Sequence, residues 1–336
     1  MDSLERNLER GFIIMNDLWT CRNYESGDEF KIIELYKKAF SKEIDIESWK
    51  WKFMENPAGN GIIKLMFDGK KLIGHYAIIP VKMKIGDRIV KAALSMITMT
   101  HPDYTKQGIF THLANALYEE LSRMGFKFVY GFPNENSFPG FIKNLGWEDL
   151  GKGQPKILYK KNLDNLSVRH PKNAHRIEEF GNEIEMLWQK IKKNYKFIVP
   201  RTKEFLNWRF VTNPEVKYAK YVIRNNGEVV GYVVLKIYTG EGEPIGHMVD
   251  ALATDSKVFE DLLRISYIYF TENGIKAMSC WIQDSFFYSE KLKEHGFVKG
   301  PAKNYFGIRF FKENCGDIGK VNCDEWYITM GDSDVF

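Results

Sequence analysis

The chain has 336 residues, 44% hydrophobic and 15% aromatic, ample for sizeable cores and unlike a disordered sequence. Its 48 Lys and Arg nearly balance 44 Asp and Glu, and a net charge of +4 is too small for nucleic acid to be the main partner. No apolar run approaches the ~20 residues that cross a bilayer, and MDSLERNLER mixes acids with bases unlike a signal peptide, so no membrane insertion is expected.

In chain order, apolar residues Phe30, Ile33, Tyr36 and Phe40, close to helical spacing, predict a helix over 28–40. Residues 61–67 and 71–81 predict two strands joined by a hairpin turn at Asp68-Gly69. Residues 92–100 predict a third. A charged, glycine-containing turn, HPDYTKQGIF (101–110), follows it and opens a helix with Phe110, Leu113, Leu117 and Leu121 on one face. Gly125 closes that helix. Residues 126–132 then predict a strand, and 136–145 a short helix closed by Gly146. The layout is α+β (mixed α/β), with part of the sheet parallel. The turn would leave the first N–H groups of its helix pointing outward, a natural seat for a phosphate.

The pattern recurs. Trp51-Lys52-Phe53-Met54-Glu55-Asn56-Pro57 returns as Trp208-Arg209-Phe210-Val211-Thr212-Asn213-Pro214, and Gly74 falls on Gly231 at the same offset. Gly125-Phe126-Lys127 answers Gly274-Ile275-Lys276, and Gly146-Trp147 answers Gly296-Phe297. Four landmarks in one order imply a tandem duplication, with domains over 1–165 and 166–336 and a linker near 162–175. Cys21, Cys280, Cys315 and Cys323 form no CxxC pair and have no histidine cluster beside them. Reduced thiols, no metal and a cytoplasmic protein are expected.

HPDYTKQGIF after a strand resembles the acetyl-CoA-binding motif of the GNAT N-acetyltransferases, and NENSFPGFIKNLGW resembles that family's later motif. The duplication is similar to that of tandem, Eis-like members. The resemblance implies two tandem GNAT-type domains, each a mixed, partly parallel sheet flanked by helices. It implies acetyl-CoA as co-substrate, with Thr98, Met99 and Thr100 along the pantetheine arm. The turn Thr105, Lys106, Gln107, Gly108, Ile109 and Phe110 would hold the pyrophosphate, and Asn136 would also face the cofactor. Thr105 stands where the family has Arg or Gln, and Phe110 where it has Gly or Ala; Lys106 can restore the charge. The second repeat, DALATDSKVFEDLL, has no glycine turn and carries Asp250, Asp255, Glu260 and Asp261, which would repel a pyrophosphate.

Acetyl transfer needs a deprotonated amine and a proton for the leaving thiolate. The tyrosine that many members carry four residues before the late glycine is Ile142 here, and Leu292 in the second repeat. Tyr130 and Glu135 are substitutes by location, each also readable as an ordinary core or loop residue. His75, His101 and His112 read as packing, turn or surface residues. The ending DEWYITMGDSDVF predicts a closing strand over 326–330 and then Asp332, Asp334 and the carboxylate of Phe336. Two placements of that tail stand: a frayed end, or one folded into the cleft, where the Phe336 carboxylate acts as base as in Eis-like enzymes. Three functions remain open: an N-acetyltransferase of a small-molecule primary amine such as an amino sugar, one acting on a peptide or protein, or a non-catalytic CoA-binding scaffold.

Overall fold

The computed structural model describes residues 19–151, 156–161, 169–240, 242–300, 305–311, 313, 316–318 and 321–334. The elements run β1 (Trp19–Asn23), α1 (Glu29–Phe40), α2 (Ile46–Met54), β2 (Ile62–Asp68), β3 (Lys71–Ile85), β4 (Arg88–Thr100), α3 (Ile109–Arg123), β5 (Phe128–Gly131), α4 (Phe138–Leu145), β6 (Glu148–Asp149) and β7 (Lys156–Lys161). They continue with β8 (Ala174–Ile177), α5 (Glu183–Ile191), β9 (Phe197–Ile198), α6 (Lys203–Phe210), β10 (Ala219–Asn225), β11 (Glu228–Tyr238), β12 (Ile245–Ala253), α7 (Ser256–Glu272), β13 (Ala277–Ile282), α8 (Phe287–Glu294), β14 (Val298–Lys299) and β15 (Gly307–Phe310). Two helices, three antiparallel strands, a helix, a strand and a short helix thus occur in the same order in each half.

Two mixed sheets result. The first runs β1-β2-β3-β4-β5-β15-β6 with β9 on β3, and the second runs β14-β7-β13-β12-β11-β10-β8. Among the described strands only β4/β5 and β12/β13 pair in parallel, and each such pair is bridged by an α-helical crossover, as parallel strands require. The halves trade strands. β7 lies between β13 and β14 in the second sheet, while β15, from near the chain's end, lies between β5 and β6 in the first. One hydrophobic core spans both sheets, and a smaller one lies under α3, around Leu113, Leu117 and Leu121.

Local chemistry explains the ends of these elements. Gly69 at φ +55 turns β2 into β3, and Asn226 and Gly227, both at positive φ, turn β10 into β11. Asp45, Thr202 and Asp255 cap α2, α6 and α7 through their side chains. Gly74 and Gly231 do one job in the two halves. A Cβ on Gly74 would come 2.4 Å from Ile109 of α3, and one on Gly231 would come 2.6 Å from Val258 of α7. Each glycine lets its helix settle on the sheet.

Helix α1 forms where expected; it buries Ile32 and Leu35 and packs against β3 and β4, with Ile33 and Tyr36 half-buried and Phe30 67% exposed. One expectation needs correction. Residues 326–330 form no strand but a single bridge from Trp326 to Phe197, where the two rings stack 5.2 Å apart and 2° from parallel. A 3-10 turn at Met330–Asp332 then bends the chain inward. No helix among the described residues is long and apolar enough to cross a membrane.

Candidate active site

The turn before α3 is built as a backbone cradle. Lys106 (φ +62) and Gly108 (φ +82) are both left-handed, a geometry that gathers successive N–H groups into a concave nest. Gly108 is the N-cap and supplies no side-chain acceptor for the first turn of α3. Asp103 N–H donates to His101 Nδ1 and the Thr105 hydroxyl to the Pro102 carbonyl, which shapes the loop from inside. Thr105, Lys106 and Gln107 are exposed. The side chains of Ile109 and Phe110 turn the other way. Ile109 is buried over Gly74, and Phe110 meets Phe141 edge-on at 5.1 Å, so only their backbone is available to a ligand.

Beside this turn the sheet opens. The parallel pairing of β4 with β5 consists of Ala93 with Val129 and Leu94 with Tyr130, after which the strands part. A bulge in β4 drives the separation: its register shifts between His75 and Ala77 of β3, and Ile97 is held at φ +47. That conformation is costly for a β-branched residue. His75 Nδ1 lies 2.7 Å from the Ile97 carbonyl. Burial pulls the imidazole down to about 4, so it is neutral and Nδ1–H donates to that carbonyl. Thr98, Met99 and Thr100 follow the bulge and run toward the turn. Asn136 is exposed, and its backbone N–H donates to the Asn134 side chain.

A cavity of about 280 Å³ lies between the halves. Leu94, Met96 and Tyr130 contribute to it from the first sheet, and Lys236 from the second. Trp51 and Trp208, 157 residues apart, stack at 5.2 Å along its wall. Each indole N–H donates to the other's carbonyl, at 2.9 and 3.1 Å. Tyr130 thus belongs both to the last paired position before the strands part and to the cavity. Burial pushes its phenol far above the usual range, and the carboxylates of Asp332 and Asp334 add to this. Glu135, exposed in the turn before α4, is not among the lining residues.

The tail is pinned rather than frayed as far as it is described. Arg201, fully buried, grips Asp332 with two bonds of 2.7 Å and Asp250 with two of 3.1 Å. Hydroxyls of Thr329 and Tyr232 donate to Asp250 and complete the network, as a buried ion cluster requires. Arg209 donates to the carbonyls of Gly331 and Ser333, both at 3.1 Å. Gly331 fits against Phe210, where a Cβ would come within 2.8 Å. Asp332 is therefore spent on structure, while Asp334 opens onto the cavity. Asp334 is exposed to solvent where the cavity opens, yet the protein crowded around it raises its carboxyl above the ordinary range, with Lys52 and Arg209 pulling it back. Phe336 lies outside the described residues.

The second half has a counterpart of the opening, and it is full. The pairing of β12 with β13 ends at Met248 and Cys280. Beyond it, Ala253 N–H donates to the Tyr288 hydroxyl at 3.1 Å, and the Tyr327 hydroxyl donates to the Ala251 carbonyl. Asp255 caps α7 by accepting from the Val258 N–H of its first turn. Glu260 and Asp261 pair with Arg264, and Asp250 faces Arg201 instead of the helix end.

Residues 20–149 match the acetyltransferase (GNAT) domain. In fold, the chain resembles a GCN5-related N-acetyltransferase from Anabaena variabilis, with a TM-score of 0.69 at 13% identity over 87% of this chain and 72% of that one. A probable N-acyltransferase of Enterococcus faecalis, a conserved protein of unknown function, gives 0.69 at 12% identity, with the same coverage. N-myristoyltransferase of Saccharomyces cerevisiae with bound myristoyl-CoA gives 0.59 at 10%, over 88% of this chain and 79% of that one. At these identities the likeness concerns the fold. None of the curated proteins matches this sequence. The GNAT match covers the turn, the bulged β4 and Tyr130, but not the cavity wall from the second half. The repeat landmarks were the overlooked signal for that wall: Trp51, Lys52, Asn56, Trp208, Arg209 and Asn213 all line the cavity.

Proposed function

We propose that the chain is an acyl-CoA-dependent N-acyltransferase, a tandem duplication with one cofactor seat, moving acetyl from acetyl-CoA to the primary amine of a small molecule such as an amino sugar. The observation that carries this reading is Tyr130, shared between the parted strands β4 and β5 and a cavity large enough for a small acceptor. Pantetheine in the opening would bring its thioester to the cavity, with the pyrophosphate on the Gly108 turn.

In this reading the amine nitrogen attacks the thioester carbonyl carbon and the C–S bond breaks, its electron pair leaving on sulfur. Asp334 takes the proton lost by the acceptor, and the thiolate is protonated as CoA departs. A carboxyl raised above its usual range is better matched to an ammonium than an ordinary one. The Tyr130 phenol, pushed up so far, keeps its proton and serves as a hydrogen-bond donor to the developing charge. Ile142 and Leu292, in place of the family's usual tyrosine, favour the scaffold reading as the alternative. A peptide or protein acceptor fits less well with a cavity of this size.

Thiol release from acetyl-CoA against a panel of amines tests both. Turnover with at least one amine is expected, with activity falling as pH drops through the raised Asp334 pKa, because the carboxylate is the active form. Asp334→Asn should lower kcat about a hundredfold or more and erase that acid limb. No thiol release with any amine, alongside intact CoA binding, would leave the scaffold.

A further inference from the structure

Of the described cations that line the cavity, Lys82 is exposed, and Lys236 is the half-buried one left over. It projects from β11, half-buried, and makes no hydrogen bond or ion pair with any described residue. Its neighbours are committed elsewhere. Arg209 holds the Gly331 and Ser333 carbonyls and the Tyr218 hydroxyl, and Lys52 faces Glu215 at 3.8 Å. Burial, then the Arg209 charge, holds Lys236 below the ordinary lysine range, and Glu215 opposes this only in part. A half-buried ammonium beside a second cation is under-solvated, and an incoming anion relieves it. At about 280 Å³ the cavity is near the lower end of small-ligand sites, roughly 300–1,000 Å³. Groups of both signs therefore line one cavity: Asp334 and Tyr130 for the acceptor's amine, Lys236 for whatever else it carries.

We propose that Lys236 is an anion subsite of the acceptor cavity, and that the acceptor is an amine bearing a second, negatively charged group, a carboxylate or a phosphate. This rests on the acyltransferase reading for which end reacts, but the subsite itself can be tested without turnover. Calorimetry on the full chain with CoA bound, run beside thiol release with acetyl-CoA, should use two matched pairs. One is an amino acid and its carboxamide; the other is glucosamine 6-phosphate and glucosamine.

In at least one pair the anionic amine should bind about tenfold or more tightly than its neutral partner, and the pair that discriminates identifies the group. Lys236→Met, which keeps the length of the stem, should bring that ratio to about one. Lys236→Arg should retain it. Equal binding within both pairs, no binding of either anionic amine, or a preference that survives Lys236→Met overturns the subsite. Discrimination in binding without thiol release upholds the subsite and defeats the catalytic reading. Turnover without discrimination does the reverse.

Discussion

In the two halves of the chain the same strand geometry meets opposite fates. β4 parts from β5 after Leu94 and Tyr130, and β12 parts from β13 after Met248 and Cys280. Parting two strands strips backbone groups of their ladder partners, and buried backbone groups must be satisfied by something. The second half satisfies them from within. Tyr288 bonds the backbone of Ala253, Tyr327 bonds that of Ala251, and a Tyr195–Tyr288 hydroxyl contact of 2.6 Å locks the plug. The helix behind it begins on Asp255, whose carboxylate accepts from the Val258 N–H that a phosphate would otherwise need in the proposed reading. The first half instead begins its helix on Gly108, with no side chain at all. In the proposed reading the opening of the first half takes the cofactor, while its counterpart in the second half is closed by two tyrosines and an aspartate.

The sharpest way to break the contrast is at the turn. Gly108→Glu puts a side chain at φ +82 and a like charge where the pyrophosphate would lie. CoA affinity should fall at least about a hundredfold, since both the strain and the repulsion act at the contact itself. Calorimetry on the parent chain should saturate at one equivalent of CoA. A second equivalent would mean that the tyrosine plug is no barrier.

A smaller effect is expected behind the slot. His75→Leu removes the donor that holds the strained Ile97 carbonyl, and β4 should relax from its bulge. Acetyl-CoA binding should weaken about tenfold, the scale of one distorted contact edge of roughly 1–2 kcal/mol. His75→Asn, whose amide nitrogen falls near the place of Nδ1, should recover most of it. Equal affinity in all three proteins would detach the bulge from cofactor binding.

The smallest effect belongs to the plug. Tyr288→Phe deletes a hydroxyl bonded to Ala253 and Tyr195, so unfolding free energy should fall by about 1–2 kcal/mol. CoA affinity should stay within about twofold. A change in affinity as large as that of His75→Leu would show that the two slots are coupled.

Much of the frame was legible because its signals are local. Gly69, Gly108 and Gly146 each sit at positive φ, as their place after a strand or around a helix suggested. Leu113, Leu117 and Leu121 are buried along one face of α3, as the 3.6-residue period requires. The backbone seat from 105 to 108 follows from one turn. Tyr130 could be flagged from its strand alone, although its phenol matters only because the cavity reaches it.

Everything that joins the halves was decided by tertiary structure. The partners of Arg201 lie 49 and 131 residues away, and Trp51 finds Trp208 across 157. The exchange of β7 and β15 has no periodic signature, since a strand reads the same whichever sheet receives it. Acidic residues at a chain's end read as solvated tail, and only a buried guanidinium turns Asp332 into an anchor and leaves Asp334 in the cavity. Lys236 looks in sequence like any lysine on a strand. Backbone angles and hydrophobic period are properties of a few neighbouring residues, so the sequence by itself determined the turn, the strands and the helix behind the proposed cofactor seat. Charge without a partner is a property of a whole surrounding surface, and folding alone decided where that surface closed.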